Sequence, residues 1–262
     1  MLSPDRALEY LYDDELKALL ARRPVALLPV GAVESHGDHL PAGTDNLLAQ
    51  RLVELLAQRL AGRVPVLALP LLPFGQVWSL ADAPGSFSLS NETVTRIVVE
   101  LARAAKAKGV RTVAAVNTHL GNVAALREAQ RALKDEAMVL AVFTYPGMTE
   151  IVAQLRERPA AHPAFMHACE IETSFMLHLA PEAVRADRAA ENYPAFPDDF
   201  GEVAYRWSEF SDSPVLGDPS AATAAKGQAI LDHVLDRMAA LTTALHARQQ
   251  AADSPPSSAP RP

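Results

Sequence analysis

A single cysteine, Cys169, rules out an intramolecular disulfide framework and fits a reducing compartment. Basic residues are in deficit: 24 Lys and Arg against 31 Asp and Glu leave a formal net charge of −7. Non-specific nucleic-acid binding needs a basic field to displace counterions, and no basic-aromatic pattern supplies one locally. No apolar run approaches the roughly 20 residues that span a bilayer. The acidic start MLSPDRALEYLYDDELKALL also lacks the basic and apolar regions of a signal peptide. These absences lead to the expectation of a cytoplasmic protein without nucleic-acid or membrane partners. What is present, 49% hydrophobic and 21% charged residues in a chain of 262, suffices for a folded core.

Four short runs, 25–30, 64–69, 112–116 and 138–144, are nearly continuous in apolar character. Strands buried on both faces need that pattern, whereas half-exposed strands alternate. Between and after them lie amphipathic stretches of helical length at 46–60, 92–108 and 123–135. The alternation predicts an α/β fold, one three-layer α/β/α domain over residues 1–248 with a mostly parallel sheet. Segments 71–90 and 187–219 are rich in Pro, Gly, Asp and Ser and are expected as long functional or interface loops. Residues 221–248 return to a helical pattern with Ile230, Val234, Met238 and Leu241 on one face. The remainder, 249–262, is expected to be a disordered tail, because AADSPPSSAPRP has nothing to bury.

In open α/β sheets ligands gather beyond the carboxyl ends of the strands. The first strand runs straight into a segment holding Glu34, His36, Asp38, His39 and Asp45 within fifteen residues. In extended chain Glu34 and His36 point to one side, and a carboxylate beside an imidazole suits Zn²⁺, Mn²⁺ or Fe²⁺. Asp45 stands at the head of a helical pattern, where a plain N-cap is the competing explanation. The third strand ends in Asn117-Thr118-His119-Leu120-Gly121-Asn122, so His119 leaves the same sheet edge if the strands are parallel. His167, Glu170 and Glu172 open a further apolar helix, where the two acids alone could serve its dipole.

Taken together, PVGAVESHGDHLPAGTD, NTHLGN, HACEIETS and the later LGDPSAATAAKG resemble the creatininase (creatinine amidohydrolase) family, in order and spacing from Ala26 to Gly227. The resemblance implies a metal-dependent amidohydrolase with two divalent ions (Zn, Mn or Fe) per chain. They would share an activated water as hydroxide that attacks a non-peptide C–N bond in a cyclic amide, amidine or formamide. By motif position Glu34, Asp45 and His119 hold one ion, and His36 and Asp45 the other. True creatininases carry a further Glu two residues after the motif histidine, where Gly121 stands here. GHGGN-type members carry an acid at the position of Glu170, which is therefore expected to complete the ligand set of the second ion. His167 matches the histidine associated with proton transfer, and Glu172 is expected to orient a ligand or His167. His39 is given a supporting or loop-packing role, and His162, His178, His233 and His246 none.

The loop 76–90 departs from the family, with Leu80 where many members carry a His and Ala83 where they carry a Phe. PAFM before His167 lacks the Trp-Asp that creatininases use around creatinine, so creatinine is not the expected substrate. Trp78 is assigned to the pocket wall or to an interface, and Cys169, in place of the usual Gly, to a small buried side chain. Other branches share the metal core: a formamidopyrimidine-type deformylase, a cofactor-maturation peptidase, and a ring-opening hydrolase. A non-catalytic metal-binding scaffold is the remaining alternative. The resemblance also implies a small-molecule substrate and a homo-oligomer, often a hexamer.

Overall fold

The computed structural model describes residues 6–253. Four parallel strands, β1 (Val25–Val30), β2 (Val66–Ala68), β3 (Thr112–Asn117) and β4 (Val139–Phe143), form a sheet in the order β2-β1-β3-β4. The helices are α1 (Asp13–Ala21), α2 (Thr44–Leu60), α3 (Asn91–Ala107), α4 (Val123–Lys134), α5 (Met148–Leu155), α6 (Glu170–Leu179) and α7 (Ala224–Asp253).

Every residue of β1 and β3 is buried, as continuous apolar runs require when both sheet faces are covered. Successive side chains divide between the faces. Val25 and Leu27 join Leu48, Leu52, Ile171, Phe175, Ile230 and Val234, so α2, α6 and α7 cover one side. Ala26, Leu28 and Val30 join Val98, Ala102, Leu126 and Leu133 of α3 and α4 on the other. This makes three layers. Each fully buried Leu contributes about 1.5–3 kcal/mol to them.

The run 64–69 yields strand only over Val66–Ala68. Pro65 and Pro70 bracket it, and neither nitrogen has a proton to donate. The sequence pattern predicts neither the short α1 nor α5, each presenting only one buried residue, Leu19 and Val152. Segments 71–90 and 187–219 are irregular apart from short 3-10 turns such as Trp78–Leu80 and Trp207–Glu209. They clasp each other: the Arg206 guanidinium lies 4.3 Å over the Trp78 ring and bonds its carbonyl, and Ser208 Oγ donates to Asp82 at 2.8 Å.

The expected tail is corrected in part, since α7 continues through 249–253. Gln249 is buried, accepting from Thr112 Oγ1 at 3.0 Å and donating to the Arg23 carbonyl at 3.2 Å. Two anchored bonds to the body of the fold hold the helix together past the point where its apolar pattern fades. Residues 254–262 lie outside those described. No helix among the described residues is long and apolar enough to cross a membrane.

Candidate metal centre

β1 and β3 are neighbours in parallel register, with Val30 opposite Asn117, so the segments that follow leave the sheet at one edge. Gly31 permits the close turn, because a Cβ there would lie 2.2 Å from Asn46 Oδ1. Thr118 Oγ1 donates to the Asp45 carbonyl at 2.8 Å, fastening the first turn of α2 to the end of β3. From the other side α6 approaches through Ala168, a non-glycine residue at φ 49°, whose N–H meets Glu172 Oε2 at 2.5 Å.

The result is a buried cluster. His119 Nδ1 is 3.0 Å from Glu34 Oε1 and 3.3 Å from Asp45 Oδ2. His167 Nδ1 is 3.5 Å from Glu34 Oε1, and His36 Nε2 is 3.6 Å from Glu172 Oε2 and 4.0 Å from Asp45 Oδ1. Three donor groups overlap here, each with its atoms within 4.8 Å of one another: Glu34, Asp45, His119; His36, Asp45, Glu172; and Glu34, His36, His167. The two oxygens of Asp45 face different partners, Oδ2 toward His119 and Oδ1 toward His36.

Backbone carbonyls set the direction of each ring. His119 Nε2 lies 2.7 Å from Gln76 O, His167 Nε2 is 2.7 Å from Ser35 O, and His36 Nδ1 is 3.1 Å from Glu34 O. A carbonyl can only accept, so each outer nitrogen carries the proton and each inner one presents a lone pair when the ring is neutral. Carboxylates and lone pairs then face each other with no donor between them. His36 Nε2 and Asp45 Oδ2 are buried without a hydrogen-bond partner. An acceptor-only lining with orphaned atoms fits divalent cations in nitrogen and oxygen coordination.

Glu170 is not part of this cluster. Its carboxylate accepts from the backbone of Glu157 and Arg158 and from Lys226 Nζ at 2.6 Å. Residues two apart on a helix stand about 200° apart, so only one of Glu170 and Glu172 can face the centre. Where the motif spacing pointed to Glu170, it is Glu172 that turns inward. His39 donates to or accepts from Thr173 Oγ1 at 3.0 Å, away from the cluster. Gly121 has no space for a side chain, since a Cβ would come within 2.2 Å of Gln76 O and 2.3 Å of His119 Nε2.

Asn122 holds that arrangement, its Oδ1 accepting from Gln76 N and its Nδ2 donating to Gly31 O, both at 2.9 Å. Cys169 is buried and free, and burial raises its thiol pKa.

The electrostatics follow from burial among opposite charges. Burial alone would raise the Glu34 pKa, but the charges of His119 and His167 overcome it and hold the carboxyl below its ordinary range. Burial opposes charge on His119, yet Glu34 and Asp45 raise its pKa well above 6.5. Glu172 is pushed up to about 7 by burial and by Asp45, against the attraction of His167.

A cavity of about 180 Å³ opens over the cluster, with Leu80, Phe165, Met166 and Trp207 in its walls. The Trp207 ring sits 5.4 Å from that of His167. This wall residue was not anticipated, because the irregular segment 187–219 carries no periodicity that reveals where a side chain goes. Trp78 is absent from the lining and packs under Arg206 instead.

The family model described as creatinine amidohydrolase matches residues 9–242. The chain belongs to the creatininase family. Two relatives match over most of their own length. The Mycofactocin precursor peptide peptidase of Mycobacterium ulcerans (strain Agy99) is 32% identical over 226 residues, covering 81% of this chain and 82% of the relative. The creatinine amidohydrolase of Pseudomonas putida is 31% identical over 189 residues, 66% of this chain and 71% of the relative. A solved creatinine amidohydrolase superposes with a TM-score of 0.79 at 25% identity, covering 92% of this chain and 97% of that one. A creatininase mutant of Zn-Zn type gives 0.76 at 24%, covering 92% and 98%. This creatininase-family chain is therefore an amidohydrolase with a buried group of metal-binding side chains.

Proposed function

We propose that the chain hydrolyses an amide C–N bond with two divalent cations in adjacent donor sets, Glu34, Asp45 and His119 in one and His36, Asp45 and Glu172 in the other. The observation that carries this reading is the set of three imidazoles, turned by backbone carbonyls so that their bare nitrogens face the buried carboxylates of Glu34, Asp45 and Glu172, one or two each. Asp45 stands between the sets with one oxygen toward each. Zn, Mn or Fe suits such mixed ligands.

The ion pair would supply Lewis acidity and bring the ionisation of water toward neutral pH. The remaining work belongs to the chain. Leu80, Phe165, Met166 and Trp207 exclude bulk water from the cavity and press the substrate against its polar floor. His167, fixed by its bond to Ser35 O, keeps Nδ1 beside Glu34, where it takes the proton that the attacking water loses and passes it to the departing nitrogen as the C–N bond breaks. The restriction to non-peptide bonds is not kept in this reading, because a relative that matches over most of its length is named a peptide peptidase. Creatinine itself remains an unexpected substrate, given Leu80 and Phe165 in the walls. The reading extends to a cytoplasmic homo-oligomer, whose size sedimentation would report.

Purified, metal-loaded protein assayed on cyclic amides, formamides and short peptides tests it. Asp45→Asn and Glu34→Gln should each lower turnover by at least about 100-fold, the scale that even outer partners of metal ligands reach. Turnover near that of the wild type in either variant would sink the two-set assignment.

A further inference from the structure

A groove of about 640 Å³ adjoins the 180 Å³ cavity, and Leu120, Phe165 and Met166 line both. Ligands of moderate size fill about 300–1,000 Å³, so the cavity alone takes little beyond the reacting group. The groove runs along Met148, Thr149 and Val152 of α5 into the segment that follows. Most of its polar side chains are already engaged. Glu157 pairs with Lys226 at 2.6 Å, Arg158 pairs with Asp218 at 3.1 Å, and His162 stacks on Phe165 at 4.7 Å.

Among its charged side chains, Arg156 is the exception. It lines the groove half-buried, and its guanidinium makes no ion pair or hydrogen bond among the described residues. The next two residues, Glu157 and Arg158, give their backbone N–H groups to the Glu170 carboxylate, which puts Arg156 near the head of the helix that carries Glu172. A guanidinium that has lost part of its hydration without gaining an anion is poised for one, and its planar fork matches a carboxylate.

We propose that the groove holds the non-reacting part of a peptide substrate and that Arg156 recognises a carboxylate on it, either the C-terminus or an acidic side chain. This rests on the amidohydrolase reading above and extends it to a substrate class. The carboxylate end is anchored in the groove while the scissile amide reaches the cavity past Phe165 and Met166.

The test is equilibrium binding of fluorescent tetrapeptides to the metal-loaded chain, supplied as C-terminal acid or carboxamide and with internal Asp or Asn. At least one anionic member should bind about tenfold or more tightly than its neutral match, and the gap should narrow with added salt. Arg156→Gln should bind the two members of that pair alike, and Arg156→Lys should keep part of the preference. The pair that discriminates tells a C-terminal carboxylate from an acidic side chain. Equal binding throughout, no binding, or a preference that survives in Arg156→Gln overturns the proposal. Absent peptide binding together with self-association that Arg156→Gln abolishes also overturns it and assigns the groove to a second copy. Cleavage of the same peptides is scored separately. Selective binding without cleavage leaves Arg156 in its role and counts against hydrolysis, whereas cleavage without selectivity does the reverse.

Discussion

His36, His119 and His167 each give an outer N–H to a carbonyl oxygen, so what occupies the inner nitrogen decides the state of the centre. Without a cation, a proton on His119 Nδ1 bridges to Glu34 at 3.0 Å, which is why the two pKa values move apart. The His119 pKa is raised, so its contribution to stability is complete below about 6.5 and is lost as pH rises through the higher folded value. The Glu34 pKa is lowered, so its contribution is complete above about 4.5 and is lost as pH falls through the lower folded value. A cation must displace the His119 proton. Adding Zn²⁺ or Mn²⁺ to metal-free protein near pH 7 should therefore release protons, with affinity rising as pH rises. Calorimetry in buffers of different ionisation enthalpy measures this, and an unchanged heat across buffers would contradict it. Residue-level legibility was uneven. Glu34, His36, Asp45 and His119 were readable because they follow strand ends, where topology fixes direction. Glu170 and Glu172 were not separable, because choosing between them needs the residue at which α6 begins and the helical phase that follows.

Among the elements, α6 carries Glu172 to the centre and α7 sets where α6 lies. Lys226 and Thr223, at and just before the start of α7, bond Glu170 Oε1 and Ser174 Oγ. Gly227 lets the two helices touch, as a Cβ there would come within 1.9 Å of Ser174 O. Gly227→Ala should destabilise the fold by about 1–3 kcal/mol, the usual cost of overpacking, and should weaken metal binding by shifting Glu172. Urea unfolding checks the first effect and a metal competition titration the second; an unaltered midpoint would refute the contact. This role explains a part of LGDPSAATAAKG that chemistry alone left without a purpose. The strands and the long helices were legible from apolar continuity and periodicity. The short α1 and α5 were not, because a helix that buries one residue leaves no periodic trace in the sequence.

For the molecule as a whole, the candidate centre lies beyond the carboxyl ends of β1 and β3, where ligands collect in open α/β sheets. Its walls were harder to foresee, since Trp207 reaches the cavity from a segment more than 150 residues away from Glu34 in sequence, with only irregular chain to place it. The central claim is that one chain gathers two cations and that Glu172, rather than Glu170, completes the second set. Elemental analysis of purified, metal-saturated protein tests it most directly. Wild type and Glu170→Gln should retain about two ions per chain, as a pair of metals in adjacent sites requires, whereas Glu172→Gln should lose about one of them. Full retention in Glu172→Gln, or loss of an ion in Glu170→Gln alone, would contradict the account.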